Sequence, residues 1–289
     1  MRIPIKTLKN GFSIPEFGLG TWQMGGRRER NLENDDAADI KAIQTAIDWG
    51  ITEIDTAEIY ADGYAEELTG KAIKSYDRSK LFIISKVYGN HMRHGDVLSA
   101  CKNSLKRVGV SYFDLYLLHS HNPSIPLKET MAAMDELMEE GLIRNIGVAN
   151  FNVESLKKAQ SYTSHPIVYD QVHYNLEYRE AEKSGLLNYC QNNDIFLAAY
   201  RPVGKGNLLS SIPSVLQKMC DKYKKTTAQI AINWLLSQKN VITLSKTTNL
   251  EHMKENLGAV GWQMEPEDIE FLRKEYPDQK EISDVVPLG

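Results

Sequence analysis

The sequence predicts an α/β protein, a (β/α)8 barrel of the TIM type with an N-terminal β-hairpin. Three observations carry this. Short apolar runs alternate with amphipathic stretches, the pattern of parallel strands joined by crossover helices. Eight such units fill about 270 residues, a span in which a parallel sheet closes on itself. The fingerprint of an open dinucleotide fold is missing: Gly18 and Gly20 stand in order, but position 23 is Gln where the third glycine belongs.

The chain opens on IPIKTL, Lys9-Asn10-Gly11 and FSIP, and Asn-Gly between two alternating segments signals a hairpin. FGLGTW (17–22) is the first barrel strand. DDAADIKAIQTAIDWG (35–50) follows as a helix with Gly50 as its stop. TEIDTA (52–57) and LFIISKV (81–87) are the next two strands. A helix over 95–109 ends at Gly109, and DLYLLHS (114–120) makes strand four. A helix over 127–141 ends at Gly141 before RNIGVAN (144–150). VYDQVHY (168–174), IFLAAY (195–200) and VITLSK (241–246) complete the eight, with helices over 226–238, 249–257 and 265–275. No linker or shift in composition interrupts the chain, so a single domain is expected over 1–289.

Composition excludes several classes of function. The chain has 289 residues, 34 Lys plus Arg, 38 Asp plus Glu and a net charge of −4, which argues against nucleic acid as a partner because phosphate binding needs a basic face. Arg27, Arg28 and Arg30 form the one dense basic cluster. Glu29, Glu33, Asp35 and Asp36 dilute it, so it is expected to be a solvated loop. Cys101, Cys190 and Cys220 are odd in number and lack C-x-x-C spacing, which gives neither a disulfide framework nor a zinc set. There is no signal-peptide core and no apolar run of the roughly 18 residues that a membrane span needs. A cytoplasmic location without membrane association is expected.

In a barrel, chemistry sits where strands end and βα loops begin. Strand two supplies Asp55, with Tyr60 in its loop; strand three supplies Lys86; strand four supplies His119. Neighbouring strands lie about 4.8 Å apart, so Lys86 is within salt-bridge reach of Asp55. A tyrosine hydroxyl is a poor acid at neutral pH. An adjacent ammonium favours the tyrosinate and is expected to lower the pKa of Tyr60, with Asp55 holding that ammonium charged. His119 is placed to orient a carbonyl oxygen. The set delivers a proton to an oxygen that gains negative charge, as carbonyl reduction requires.

These segments resemble the aldo-keto reductase family over nearly the whole chain. FGLGTWQMG (17–25) is similar to the family's opening strand, and DTAEIY (55–60) resembles its D-T-A-x-x-Y signature with the Asp and Tyr of a catalytic tetrad. Ser85-Lys86, Leu117-Leu118-His119 and IRNIGVANF (143–151) resemble further family segments in the same order. The resemblance implies an oxidoreductase that uses NADPH, with NADH possible, to reduce an aldehyde or ketone. Tyr60 is then the general acid, assisted by Lys86, Asp55 and His119. Asn150 and Gln171 match residues that bond the carboxamide, and Tyr200 matches the aromatic stacked on the nicotinamide. The segment YRPVGKGNL (200–208) corresponds to the loop around the pyrophosphate. Lys246 and Thr247 match contacts to the 2′-phosphate, and Glu255 and Asn256 contacts to adenine. Thr21, Arg201, Val203, Thr248 and His252 also fall on cofactor-lining segments. A helix N-terminus preceded by Lys246, Thr247 and Thr248 suits a phosphate on physical grounds as well.

Two positions depart from the family. Ala149 stands where Ser usually precedes the Asn, and His252 stands where NADPH-preferring members commonly place Arg. A largely neutral imidazole holds a dianion less well than guanidinium, so a reduced preference for NADPH over NADH is expected. The stretch after the last helix, 276–289, is short, which suggests an open pocket with Trp22 and Tyr88 as apolar walls. Three rivals remain at this level. His119-x-His121 allows a metal-dependent barrel hydrolase, although such pairs belong on a first strand. Lys86 or Lys246 allows a Schiff-base aldolase, although a Lys paired with Asp55 is a poor nucleophile. A non-catalytic NADPH-binding regulatory barrel is the third. Neither a metal nor a particular oligomeric state is indicated.

Overall fold

The computed structural model describes residues 2–206 and 212–289. Two short strands, β1 (Ile5–Thr7) and β2 (Ser13–Pro15), pair antiparallel with Ile5 opposite Pro15. Only Gly11 in the connection is left-handed, at φ 90°, and its N–H returns to the Leu8 carbonyl at 3.0 Å. The Asn-Gly pair therefore makes a longer loop than a two-residue turn. The Lys9 and Asn10 amides each donate to the Asp194 carboxylate at 2.8 Å, and this fastens the loop to the body.

Eight parallel strands follow: β3 (Phe17–Gly20), β4 (Glu53–Asp55), β5 (Phe82–Val87), β6 (Leu115–Leu118), β7 (Ile146–Ala149), β8 (Ile167–His173), β9 (Phe196–Tyr200) and β10 (Val241–Ser245). They close in sequence order, with β10 pairing β3. Each expected strand is present; seven are shorter, and β8 keeps its length but starts one residue earlier. The chain leaves the ladder once it reaches the polar residues at the mouth. Residues Thr56, Glu58 and His119 still donate singly to neighbouring backbone there, without forming strand.

The helices are α1 (Asp36–Asp48), α2 (Tyr64–Ile73), α3 (His94–Val108), α4 (Leu127–Glu139), α5 (Val153–Gln160), α6 (Glu180–Lys183), α7 (Leu186–Asn192), α8 (Ser214–Tyr223), α9 (Thr227–Leu236), α10 (Leu250–Leu257) and α11 (Pro266–Glu275). They bury the outward faces of the strands in one large core that includes Ile54, Ile83, Tyr116, Val148, Val172, Leu197 and Trp234. A second cluster fills the barrel: Ile84, Leu115, Leu117, Tyr169, Phe196 and Ile242. Leu8, Phe12 and Ile14 of the hairpin join that inner cluster and close the floor. Truncating a buried ring such as Phe196 to Ala would cost about 3–5 kcal/mol. With the floor plugged and the interior packed, the mouth is the face left for chemistry.

Candidate active site

Successive residues on a strand alternate sides, so Glu53 and Asp55 share the inner face of β4, with Lys86 on β5 beside them. Lys86 is fully buried. Its ammonium donates to Asp55 Oδ1 at 2.5 Å, to the Thr56 carbonyl at 2.9 Å and to the Tyr60 hydroxyl at 3.3 Å. Burial pulls the Lys86 pKa down, but Asp55 and Tyr60 outweigh it and leave it above the ordinary value. The cation is therefore retained inside a low-dielectric site.

Tyr60 lies in the turn after β4, where Ala61 and Asp62 hold left-handed φ values of 51° and 55°. Such non-glycine conformations cost of order 1–3 kcal/mol each and concentrate at functional sites. Trp22 meets the Tyr60 ring edge-on at 5.0 Å and His119 does so at 5.7 Å. The expected acidification of the phenol is not what results. Burial pushes the Tyr60 pKa up, Lys86 pulls against it, and the net remains above 10. Desolvation of the tyrosinate exceeds the attraction of one ammonium, so the group is a protonated donor in the free protein.

His119 begins where β6 ends. Burial first, then the charges of Lys86 and Arg28, lower its pKa to about 3, so the imidazole is neutral. Its buried Nδ1 has no partner among the described residues. His121 does not share its site: it faces Phe151 at 5.7 Å and Ser155 Oγ at 3.4 Å, because the strand ends before the H-x-H pair. No three His, Cys, Asp or Glu side chains converge as a metal set among the described residues.

Around this centre stand the cofactor candidates. Thr21 donates through N and Oγ1 to the Asp55 carbonyl at 2.9 and 3.1 Å. Asn150, left-handed at φ 60°, donates to the His119 carbonyl at 3.1 Å and accepts from Tyr200 at 3.0 Å. Gln171 has a duty the sequence did not reveal: its Nε2 donates to Asp55 Oδ2 at 2.9 Å, which leaves its carbonyl oxygen for a carboxamide. One face of Tyr200 lies nearly parallel to His173 at 5.4 Å, and His173 in turn stacks on Tyr178 at 4.2 Å. Arg201 sits at φ 58° and lies 3.8 Å from Asp284, and Val203 packs against the core. Of the expected pyrophosphate loop, residues 207 and 208 lie outside the described residues.

The segment after β10 differs from expectation. Asn249 caps α10, and its Oδ1 accepts from the Glu251 and His252 amides at 2.9 and 3.3 Å. Thr247 Oγ1 accepts from the Asn249 amide at 3.1 Å. Those amides are thus committed within the turn, and a phosphate would meet the exposed Lys246 and His252 side chains and Thr248 instead. Asn256 is buried and donates to Ser245 Oγ at 3.2 Å, and Glu255 is half-buried.

The tail after α11 has fixed partners. Short as it is, it is tied back across the loops after β7 and β8. Ser283 and Leu288 amides donate to Glu180 at 2.8 and 3.0 Å, and Gly289 exchanges backbone bonds with Asn150 and Asn152 at 2.9 and 3.0 Å. Tyr88 stands half-buried on the opposite rim, its amide held by Glu58 Oε1 at 2.6 Å, which also meets His91 Nδ1 at 3.1 Å. Two acidic residues were missed by sequence reasoning, Glu58 and Glu53. Burial pushes the Glu53 carboxyl well up, so a neutral acid lies beneath Asp55. The two-residue spacing from Asp55 was the available signal.

Several known proteins are similar to this chain over most of its length. Methylglyoxal reductase YeaE of Escherichia coli (strain K12) is 33% identical over 273 residues, 93% of each chain. A thermostable aldo-keto reductase solved with the inhibitor epalrestat is 43% identical at a TM-score of 0.90, covering 94% of this chain and 99% of that one. An aldo-keto reductase from Klebsiella pneumoniae solved with NADPH is 34% identical at a TM-score of 0.84, covering 97% and 98%. The pattern of the aldo/keto reductase family matches residues 16–276, and the chain belongs to that family.

Proposed function

We infer that Tyr60, Lys86, Asp55 and His119 act together in the NADPH-dependent reduction of a small aldehyde or ketone. As an aldo/keto reductase the chain is an NAD(P)H-dependent oxidoreductase. The observation that carries the residue roles is the Lys86 ammonium, 2.5 Å from Asp55 and 3.3 Å from the Tyr60 hydroxyl.

The residues present fit a dinucleotide. Tyr200 offers a flat ring backed by His173, Asn150 and Gln171 bring amide groups beside Tyr60, and Lys246 and His252 leave cationic or polar heads exposed at the far end. When bound, NADPH supplies a hydride to the carbonyl carbon. The chain does the rest. Neutral His119 donates one hydrogen bond to the carbonyl oxygen and fixes its direction. Tyr60 transfers its phenolic proton to the oxygen as negative charge grows there. Lys86 then faces the tyrosinate and stabilises it, while Asp55, braced by Gln171, keeps the ammonium in place. Trp22 and Tyr88 wall the pocket.

The chain is inferred to act as one barrel domain over 1–289, in the cytoplasm; no described helix is long and apolar enough to cross a membrane. NADPH is preferred, by less than in relatives with Arg in place of His252. Following NADPH absorbance with a panel of aldehydes and ketones tests the reading, and turnover is expected with reactive aldehydes. Tight NADPH binding without turnover on any of them would overturn it in favour of a regulatory barrel.

A further inference from the structure

The loop after β3 has a defined conformation. Gly26 sits at φ +138°, and a Cβ there would lie 2.3 Å from the Glu29 carbonyl oxygen, so only glycine fits. Asn31 donates to the Gly25 carbonyl at 2.8 Å, and Asp39 accepts from the Gly25 amide at 2.9 Å and from Asn34 at 2.7 Å. Arg30 lies 3.8 Å over the Tyr64 ring and 3.7 Å from Asp36. The loop is also fastened to the catalytic turn. The Ala61 amide donates to the Arg27 carbonyl at 2.7 Å, and Ala61 is the residue after Tyr60.

Arg28 thus emerges from a fixed loop beside the acid. It is exposed, and its charge bears on His119, the group that orients the carbonyl. Three carboxylates of the surrounding elements have other partners, while Glu29 and Asp62 stand exposed. Asp36 accepts from Tyr64 at 2.6 Å and pairs with Arg30, Asp39 is taken as described, and Glu58 serves Tyr88 and His91. Among the described residues no carboxylate forms an ion pair with Arg28. An exposed guanidinium on a loop bonded to the residue after Tyr60, with no protein anion bound to it, matches a carboxylate or phosphate in its fork geometry. Composition predicts a solvated loop; the bond from the Ala61 amide to the Arg27 carbonyl brings that loop beside Tyr60.

We propose that Arg28 docks an oxyanion on the substrate, and that the preferred substrates are short carbonyl compounds bearing a carboxylate or a phosphate. The proposal rests on carbonyl reduction at Tyr60 and His119. The test compares kcat/KM for matched pairs, succinic semialdehyde against its methyl ester and glyceraldehyde phosphate against glyceraldehyde, in wild type, Arg28→Gln and Arg28→Lys. Wild type is expected to favour the charged member of at least one pair, and which pair responds separates carboxylate from phosphate. Arg28→Gln lowers that charged-to-neutral ratio about tenfold, mainly through KM, and Arg28→Lys restores part of it. Salt at about 0.5 M compresses the wild-type ratio. Equal ratios in wild type and Arg28→Gln, with turnover intact, overturn the docking role alone. Absence of turnover on all four compounds overturns the reading of the site itself.

Discussion

The two ends of the proposed cofactor groove differ in how much of their bonding exists before a ligand arrives. At the barrel mouth Asp55, Lys86, Gln171 and Tyr60 already form one connected set, and Lys86 is completely buried. At the proposed adenosine end Lys246 and His252 are exposed, and among the described residues the Thr247 and Asn249 side chains bond within their own turn. The difference follows from solvation. A charge inside the barrel loses its water whether or not a ligand is present, so the protein must supply its partners. A charge at the surface keeps its water and can wait. Substitutions at the mouth are therefore expected to change turnover and stability, whereas those at the far end change cofactor affinity alone.

The largest effect is expected from Tyr60→Phe. It removes the proton donor and keeps the ring against Trp22, so turnover falls about 10²–10⁴-fold. NADPH affinity, measured by fluorescence titration, stays within about twofold, since Tyr60 makes none of the expected cofactor contacts. Near-normal turnover would take Tyr60 out of the acid role.

Next comes Lys86→Met, which leaves Asp55 buried without its cation. Breaking a buried pair costs about 3–5 kcal/mol, read as a lowered Tm. Adding Asp55→Asn removes the stranded charge and is expected to recover much of that stability without restoring turnover. If the double variant were no more stable than the single one, the loss would come from packing rather than charge.

Why the mouth was the more legible end in the sequence is itself a solvation matter. Asp55, Lys86 and His119 each sit where an apolar run stops, and a polar residue at a barrel strand end has few other places to point. All eight strands showed as apolar runs for the same reason. The depth of Tyr60 does not show, because its burial depends on Trp22 and His119 from the loops after β3 and β6, and so its pKa rises where the local pattern predicts a fall. Five helices are not legible in the sequence: Val153–Gln160, Glu180–Lys183 and Leu186–Asn192 are short, and Tyr64–Ile73 and Ser214–Tyr223 have apolar positions interrupted by Glu, Thr, Lys and Asp, with tertiary packing making up the difference. Asn249 was hidden by the stronger phosphate pattern of Lys246, Thr247 and Thr248, although an Asn before a helix is a common cap.

A smaller effect, confined to the far end, is expected from His252→Arg. A guanidinium adds a permanent charge and a second donor for a phosphate, and NADPH affinity rises about tenfold. NADH affinity and Tm remain unchanged, because His252 is exposed and its side chain forms no bond among the described residues. Equal tightening toward NADH would mean that the new side chain contacts something other than the 2′-phosphate.

The smallest expected effect lies in the pH profile of reduction, and it separates the two ends through titration. The Tyr60 phenol is held above its ordinary value near 10 and the His119 imidazole is lowered to about 3. Between about pH 5 and about pH 9 neither group changes its proton count, and Lys86, raised above its ordinary value, stays charged. With saturating NADPH, kcat for a neutral aldehyde should vary less than about twofold over that range and fall only on the alkaline side, as the Tyr60 proton is lost. KM for NADPH is free to move near about pH 6, where a phosphate monoester such as the 2′-phosphate titrates. A limb near 6.5 in kcat itself would mean that His119 works as an imidazolium, and the mouth would then be no better insulated from solvent than the adenosine end.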